Sequence, residues 1–215
     1  MSLTLHGYWR SGAAWRVRIA LALKGVEVAQ TSYDLMAGAH NQAIYRVLNP
    51  QGLVPALETD GKVITQSLPI MEWLEETYPD PSLLPANREA RAYVRAMAAI
   101  VACDIHPLNN LRVLTHLRQD LDLEEEQVNA WISRWITEGF TALEAMIASH
   151  GGVFAFGNTP TFVDCCLIPQ IYSARRFGVP LDNFARILSV ETRCGTHPAF
   201  AASHPDCQSD KPATS

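Results

Sequence analysis

The apolar positions change their period along the chain. "LTLHGY" (Leu3 to Tyr8) reads as a strand, and the segment after it is apolar at Trp15, Ile19, Ala20 and Leu23 before stopping at Gly25. That is the spacing of an amphipathic helix followed by its terminator. "VEVAQTSYDL" reads as a second strand; strand, helix and strand in so few residues predict a crossover joining a parallel pair. "VPALET", the turn signal Asp60-Gly61 and "KVITQS" predict a hairpin, and "LPIMEWLEETY" a helix that starts near Ser67.

Residues 1–80 are therefore expected to form a small α/β domain, a mixed four-stranded sheet with helices against it, of the thioredoxin-like kind. "PDPSLLPANREA" holds Pro79, Pro81 and Pro85, which makes 81–87 a stiff extended linker. From Arg88 no strand pattern of useful length occurs. Helical runs replace it, with Ala90, Val94, Met97 and Val101 in one and Trp131, Trp135, Leu143 and Ile147 in another. Residues 88–215 are expected to be an all-helical domain. Within it "TFVD" (Thr161 to Asp164) is a variant capping box ahead of the apolar "CCLIPQIY", where Pro169 is expected to bend the helix. The polar tail "DCQSDKPATS" is expected to fray.

Composition narrows the function classes. The chain has 215 residues, 48% hydrophobic and 18% charged, with a net charge of −5. No basic field for a polyanion exists, so nucleic acid is not an expected partner. No stretch reaches the roughly 18 apolar residues of a membrane span, and no leader pattern opens the chain, so a cytoplasmic protein is expected. Five cysteines (Cys103, Cys165, Cys166, Cys194, Cys207) show no CxxC spacing; neither a disulfide framework nor a metal site is predicted.

Three features of the first domain point to the end of the sheet where the first strand hands over to the first helix. Ser11 stands at the helix start in "RSGAAWRVRIALALKG". It either caps the helix or turns its hydroxyl toward an anion held by the helix terminus. Pro55 in "LVPAL" opens a strand; a cis Val54-Pro55 bond would turn the Val54 backbone outward to pair with an extended peptide, whereas a trans bond would make it an ordinary edge proline. Gln66-Ser67 begins the helix after the hairpin, as a plain cap or as a seat for a carboxylate. Together they describe a groove for a short peptide with a carboxylate at one end and a thiol or other anion at Ser11.

"RSGAAWRVRIALALKG", "LNPQGLVPAL", "TQSLPIMEWLEETYP", "CDIHPLNNLRVL" and "PTFVDCCLIPQIYSARRFGV" occur in this order over almost the whole chain. In this the sequence resembles the zeta-class glutathione transferases, whose bacterial members are maleylacetoacetate and maleylpyruvate isomerases. The resemblance implies a homodimer and a glutathione site: Ser11 at the thiol, Val54 and Pro55 at the cysteinyl backbone, Gln66 and Ser67 at the glutamyl end, with His40, His106 and Asn110 near the cofactor. Zeta proteins commonly read Ser-Ser-Cys at the first helix, whereas here Ser11 is followed by Gly12 and Ala13, as in some maleylpyruvate isomerases of the family.

The implied substrate is a small anionic diketo diacid. Glutathione thiolate would add to its cis double bond, rotation would follow, and expulsion would give the trans product. Arg176 and Arg112 are the expected catalytic cations on the substrate carboxylates, with Arg10 and Asn109 also at the substrate. Structural roles compete for several of these residues: an ion pair for Arg176 and Arg112, caps for Asn109 and Asn110, a solvated loop for His40, packing before Pro107 for His106. Neighbouring Arg175 reads as an ion-pair partner. Two other functions are compatible with the pattern, a conjugating or dehalogenating glutathione transferase and a non-catalytic binding module of the same fold.

Overall fold

In the computed structural model, which describes residues 2–212, the first element is β1 (Leu3–Gly7), followed by α1 (Gly12–Leu23) and β2 (Ala29–Ser32). After a 3-10 turn at Ala39–Asn41 come α2 (Ala43–Leu48), β3 (Ala56–Thr59), β4 (Lys62–Thr65) and α3 (Ser67–Thr77). The sheet has four strands in the order β2-β1-β3-β4, with β1 and β2 parallel and the other pairs antiparallel. This is the mixed sheet the alternation predicts.

The helices that follow are α4 (Arg88–Ala99), α5 (Leu111–Gln119), α6 (Glu125–His150), α7 (Phe162–Arg176), α8 (Ala185–Gly195) and α9 (Pro198–Ala202). A π-helical stretch (Ile100–Ile105) and a 3-10 turn (His106–Asn109) lie between α4 and α5. Among the described residues no helix is long and apolar enough to cross a membrane.

The chain divides into two compact units, Met1–Leu83 with Gly195–Ser215, and Leu84–Cys194. The C-terminal segment thus packs with the sheet domain, not with the helices as a boundary at 88–215 would have it. Its anchors are specific. Trp15 Nε1 donates to Ser203 Oγ at 3.3 Å, Arg18 Nε to the Ser203 carbonyl at 3.3 Å, and the Trp9 N–H to Asp210 at 2.8 Å. Against the expected fraying, the tail is anchored as far as Asp210, while 213–215 lie outside the described residues.

This covering changes the first helix. Residues 14 to 21 of α1 are all buried, Arg16 and Arg18 included. The helix is enclosed on more than one side, by α3 and by α9, so the amphipathic reading of its pattern is too narrow. Leu5, Trp15, Ile19, Leu57, Ile70 and Leu74 form the heart of this unit's core.

The proline-rich stretch after α3 bends repeatedly instead of running extended, and it is tied down. Lys24 Nζ donates to Glu75 Oε2 at 2.7 Å and to the carbonyls of Tyr78 and Pro81 at 2.7 and 3.0 Å. Glu75 also accepts from Ser82 Oγ and from the Leu83 N–H. Burial pushes the Glu75 carboxyl up, and these bonds together outweigh it, so the group sits below the usual carboxylate range.

In the second unit Val94, Met97, Val101, Ile132, Ile136, Phe140 and Phe162 fill the core. The capping box at α7 forms in full. Asp164 Oδ2 accepts from the Thr161 N–H at 2.7 Å and Thr161 Oγ1 at 3.0 Å, while Oδ1 accepts from the Ala155 N–H at 2.9 Å. The helix continues through Pro169. Gly139 on α6 faces Ile105: a Cβ there would lie 2.3 Å from Ile105 Cδ1.

Candidate functional site

The sheet register gathers the three features of the first domain. His6 at the end of β1 pairs with Ala56 at the start of β3, and Ala56 pairs with Thr65 at the end of β4. The loop to Ser11, the Val54-Pro55 bond and the Gln66-Ser67 pair therefore all leave from one end of the sheet.

Ser11 is the N-cap of α1, and its Oγ accepts the Ala14 N–H at 3.2 Å. That bond uses a lone pair and leaves the hydroxyl proton to donate. The residue is partly exposed at the terminus, where unpaired N–H groups carry about half a positive charge. Capping and contact with an anion coexist in this geometry.

The Val54-Pro55 bond is cis. Leu53 ahead of it is fixed by two bonds on one carbonyl oxygen, from Tyr45 Oη and Asn49 Nδ2, each at 2.7 Å. Gly52 turns the loop at φ 65, a left-handed conformation that suits glycine. Val54 stands outside the ladder, whose register starts at Ala56.

Gln66 holds φ 70 as the N-cap of α3, an uncommon conformation for a residue with a side chain. Its Nε2 donates to Gln51 Oε1. Ser67, buried at the first position of α3, accepts from Arg16 Nη1 at 3.2 Å. The buried guanidinium thereby occupies one side of the hydroxyl and leaves its proton to be donated elsewhere. A carboxylate in front of α3 would meet that proton and the helix's first N–H groups.

His40 lies in the 3-10 turn, with its Nδ1 buried and no protein partner for it among the described residues. Burial lowers its pKa and the nearby Arg46 charge lowers it further, so the ring is neutral at physiological pH. Arg10 stacks on Trp9, with Cζ 5.2 Å from the ring centroid.

In the second unit, His106, Asn109, Asn110 and Arg112 come from one short segment. Trp131 Nε1 pins it by donating to the Leu108 carbonyl at 2.9 Å. Asn110 caps α5, its Oδ1 accepting the Arg112 N–H at 3.2 Å, so the capping alternative is realised there. Asn109 is different: among the described residues neither its Nδ2 nor its Oδ1 has a hydrogen-bond partner, although both atoms are buried. Buried amides are normally satisfied, which marks Asn109 as a group with bonds to offer. Arg112 is exposed on the first turn of α5. Arg176 ends α7 with its guanidinium 4.5 Å from the Phe177 ring centroid, whereas Arg175 is engaged by Glu191 at 2.6 and 3.0 Å.

Residues 1–76 match the family model for the glutathione S-transferase N-terminal domain, and residues 125–202 that for the C-terminal domain. The maleylacetoacetate isomerase of Pseudomonas aeruginosa is 47% identical, over 98% of this chain and 100% of its own length. A solved structure described as the holo form of maleyl pyruvate isomerase, a bacterial glutathione S-transferase of the zeta class, has a TM-score of 0.95 at 47% identity, covering 97% of this chain and 100% of that one. The chain belongs to the zeta class of the glutathione S-transferases. A further neighbour, maleylacetoacetate isomerase from Methylobacterium extorquens AM1 with bound malonate and GSH, has a TM-score of 0.93 at 37% identity, covering 98% of this chain and 100% of that one.

The residues of this transferase that sequence reasoning passed over are those that hold the others: Arg16 behind Ser67, Gln51 beside Gln66, and Tyr45 with Asn49 under Leu53. One signal was present for the first. Two arginines inside the apolar run "AAWRVRIALAL" are costly to bury unless each has an assigned bond.

Proposed function

We propose that this zeta-class transferase binds glutathione and uses it to isomerise maleylacetoacetate or maleylpyruvate from the cis to the trans form. The observation that carries the reading is the row His6–Ala56–Thr65, which delivers a helix-terminal hydroxyl, the Val54-Pro55 bond and a second helix start to one end of the sheet. A tripeptide fits that set. Its glutamyl carboxylate suits Gln66 and Ser67, its cysteinyl backbone Val54 beside Pro55, and its sulfur Ser11. The unsatisfied Nδ1 of His40 is a further acceptor or donor for it, and His106 and Asn110 complete the proposed set.

Bound there, glutathione supplies a thiol that adds reversibly to the double bond conjugated with the substrate ketone, so that a single bond is free to turn and the cofactor returns unchanged. The chain's task is to keep that sulfur ionised and to hold the substrate's ends. A free thiol has a pKa of about 8.5. A helix terminus offers about 0.3–1 kcal/mol, less than one pKa unit. The Ser11 hydroxyl, donating to a charged sulfur, adds about 1.5–3 kcal/mol, or one to two units. Ser11 is the larger contributor.

Arg176 and Arg112 are assigned to the substrate carboxylates, with Asn109 and Arg10 as polar lining. A guanidinium meets a carboxylate in a planar fork that fixes its orientation while the middle of the molecule turns. The two candidate substrates differ by one methylene, worth about 1–3 kcal/mol in a pocket, so both belong in the test. We further propose a cytoplasmic homodimer, for which light scattering is expected to give twice the chain mass of 23.8 kDa.

The decisive experiment follows the ultraviolet absorbance of each cis diketo acid with glutathione at a small fraction of the substrate concentration. Complete conversion without loss of free thiol supports isomerisation. Stoichiometric thiol consumption would mean conjugation, and glutathione binding without turnover a binding module.

A further inference from the structure

The segment just ahead of Ser11 is held by opposite charges on its two kinds of backbone group. The Trp9 N–H donates to Asp210 Oδ2 at 2.8 Å, and the Trp9 carbonyl accepts from Arg18 Nη2 at 2.8 Å. Arg18 Nη1 reaches the Tyr8 carbonyl at 3.4 Å, the same oxygen that accepts the Ser11 N–H at 3.0 Å. Asp210 Oδ2 also accepts from Ser32 Oγ on β2. The turn from β1 to α1 is thus bracketed by two side chains nearly two hundred positions apart.

Both side chains are themselves placed. Arg18 is 6% exposed and donates to three backbone carbonyls, those of Tyr8, Trp9 and Ser203. Burial lowers its pKa to about 10 against the field of Asp210, which raises it; it stays charged at neutral pH. The stretch carrying Asp210 is held by Gln208 Nε2, which donates to the His204 carbonyl at 2.9 Å, and by Lys211 Nζ on Asp206 at 2.6 Å.

We infer that Asp210 and Arg18 are positioning residues for Ser11, clamping the Trp9 N–H and C=O so that the Ser11 hydroxyl keeps one direction at the mouth of α1. The inference rests on the reading of Ser11 as the thiol-binding group. Neither residue touches the sulfur; their effect passes through two residues of backbone. A polar C-terminal segment is in this way part of the catalytic architecture of the sheet domain.

The test compares Asp210→Ala, Asp210→Asn and Arg18→Lys in the full chain. Alanine removes both accepted bonds, whereas asparagine keeps a side-chain oxygen that accepts both. Lysine keeps Arg18's charge but cannot span three carbonyls. The first readout is backbone hydrogen exchange over residues 8–12 without glutathione. D210A and R18K are expected to exchange faster there, and D210N to stay close to wild type. The second is kinetic. D210A is expected to lower kcat at neutral pH about 10- to 100-fold, the cost of a small misplacement of a reacting group. Its kinetic pKa should rise while KM for the diacid stays within about twofold, and D210N should recover most of the loss.

Unchanged exchange over 8–12 in folded D210A, or kinetics that fall only in proportion to the folded fraction, would overturn the clamp. So would D210N behaving like D210A, which would make charge and not the accepted bonds the agent. Should D210A not fold, R18K and D210N carry the same comparison. A wild-type protein without isomerase activity would refute the proposed function and leave the exchange experiment to judge the clamp.

Discussion

Replacing Ser11 removes two interactions that can be separated by choice of residue. In the structure Ser11 Oγ accepts the Ala14 N–H at 3.2 Å, a cap whose loss to alanine costs about 0.5–2 kcal/mol. The remaining hydroxyl proton is assigned to the glutathione sulfur, a bond worth about 1.5–3 kcal/mol. Ser11→Ala loses both. It is expected to be less stable to urea by about 1 kcal/mol and to show a kinetic pKa raised by one to two units, with kcat near neutral pH down about 10- to 100-fold and recovering in alkali. Ser11→Asp keeps an oxygen acceptor for the cap and places a negative charge before the sulfur. Its stability is expected to match wild type while its activity falls below that of S11A. The assay is the pH dependence of kcat alongside urea unfolding. A pH profile of S11A that superimposes on wild type, with stability lowered, would refute the thiol role and leave Ser11 a cap alone.

Arg176→Ala is expected to raise KM for the diacid about 10- to 100-fold, and Arg176→Lys to recover little because a lysine cannot form the fork; Arg175→Ala, which breaks the Glu191 pair, should leave KM near wild type in the same steady-state assay. Gly139→Ala must push a methyl into Ile105, 2.3 Å away, and is expected to cost about 1–3 kcal/mol by thermal unfolding. Burial raises the Asp164 carboxyl to about 6, above its usual 3.8. The folded state therefore binds this proton more tightly than the unfolded one, and the group's contribution to stability is full below its unfolded pKa and lost as pH rises through its folded value. Asp164→Asn should remove that part of the slope in urea midpoints measured at about pH 5 and about pH 7, and lower stability throughout by about 1–3 kcal/mol because one donor then faces the amide NH₂.

Legibility in the sequence followed the distance between a residue and its partner. The hairpin, the α7 capping box and the cap at Ser11 are each set by residues within a few positions of one another, and the pattern along the chain contains them. The shared edge of the three marks was legible for a related reason, since strand ends, proline and helix starts are local and the sheet register brings them to one end. What stayed hidden depends on remote contacts. Arg16 reads as a misfit in an apolar helix until Ser67, 51 positions on, is seen against it. The tail reads as solvent-loving because its composition is polar, yet Asp210 finds the Trp9 N–H across 201 positions. The same blindness explains the misjudged first helix. Its apolar stripe at Trp15 and Ile19 was visible, but the cover supplied by α9 and the tail follows from the chain's return. A residue proposed to act through its own chemistry, such as Ser11, leaves a local trace; one proposed to aim it, such as Asp210, is visible only once the fold has closed. Variants that change turnover without changing substrate affinity are therefore to be sought first among these long-range partners.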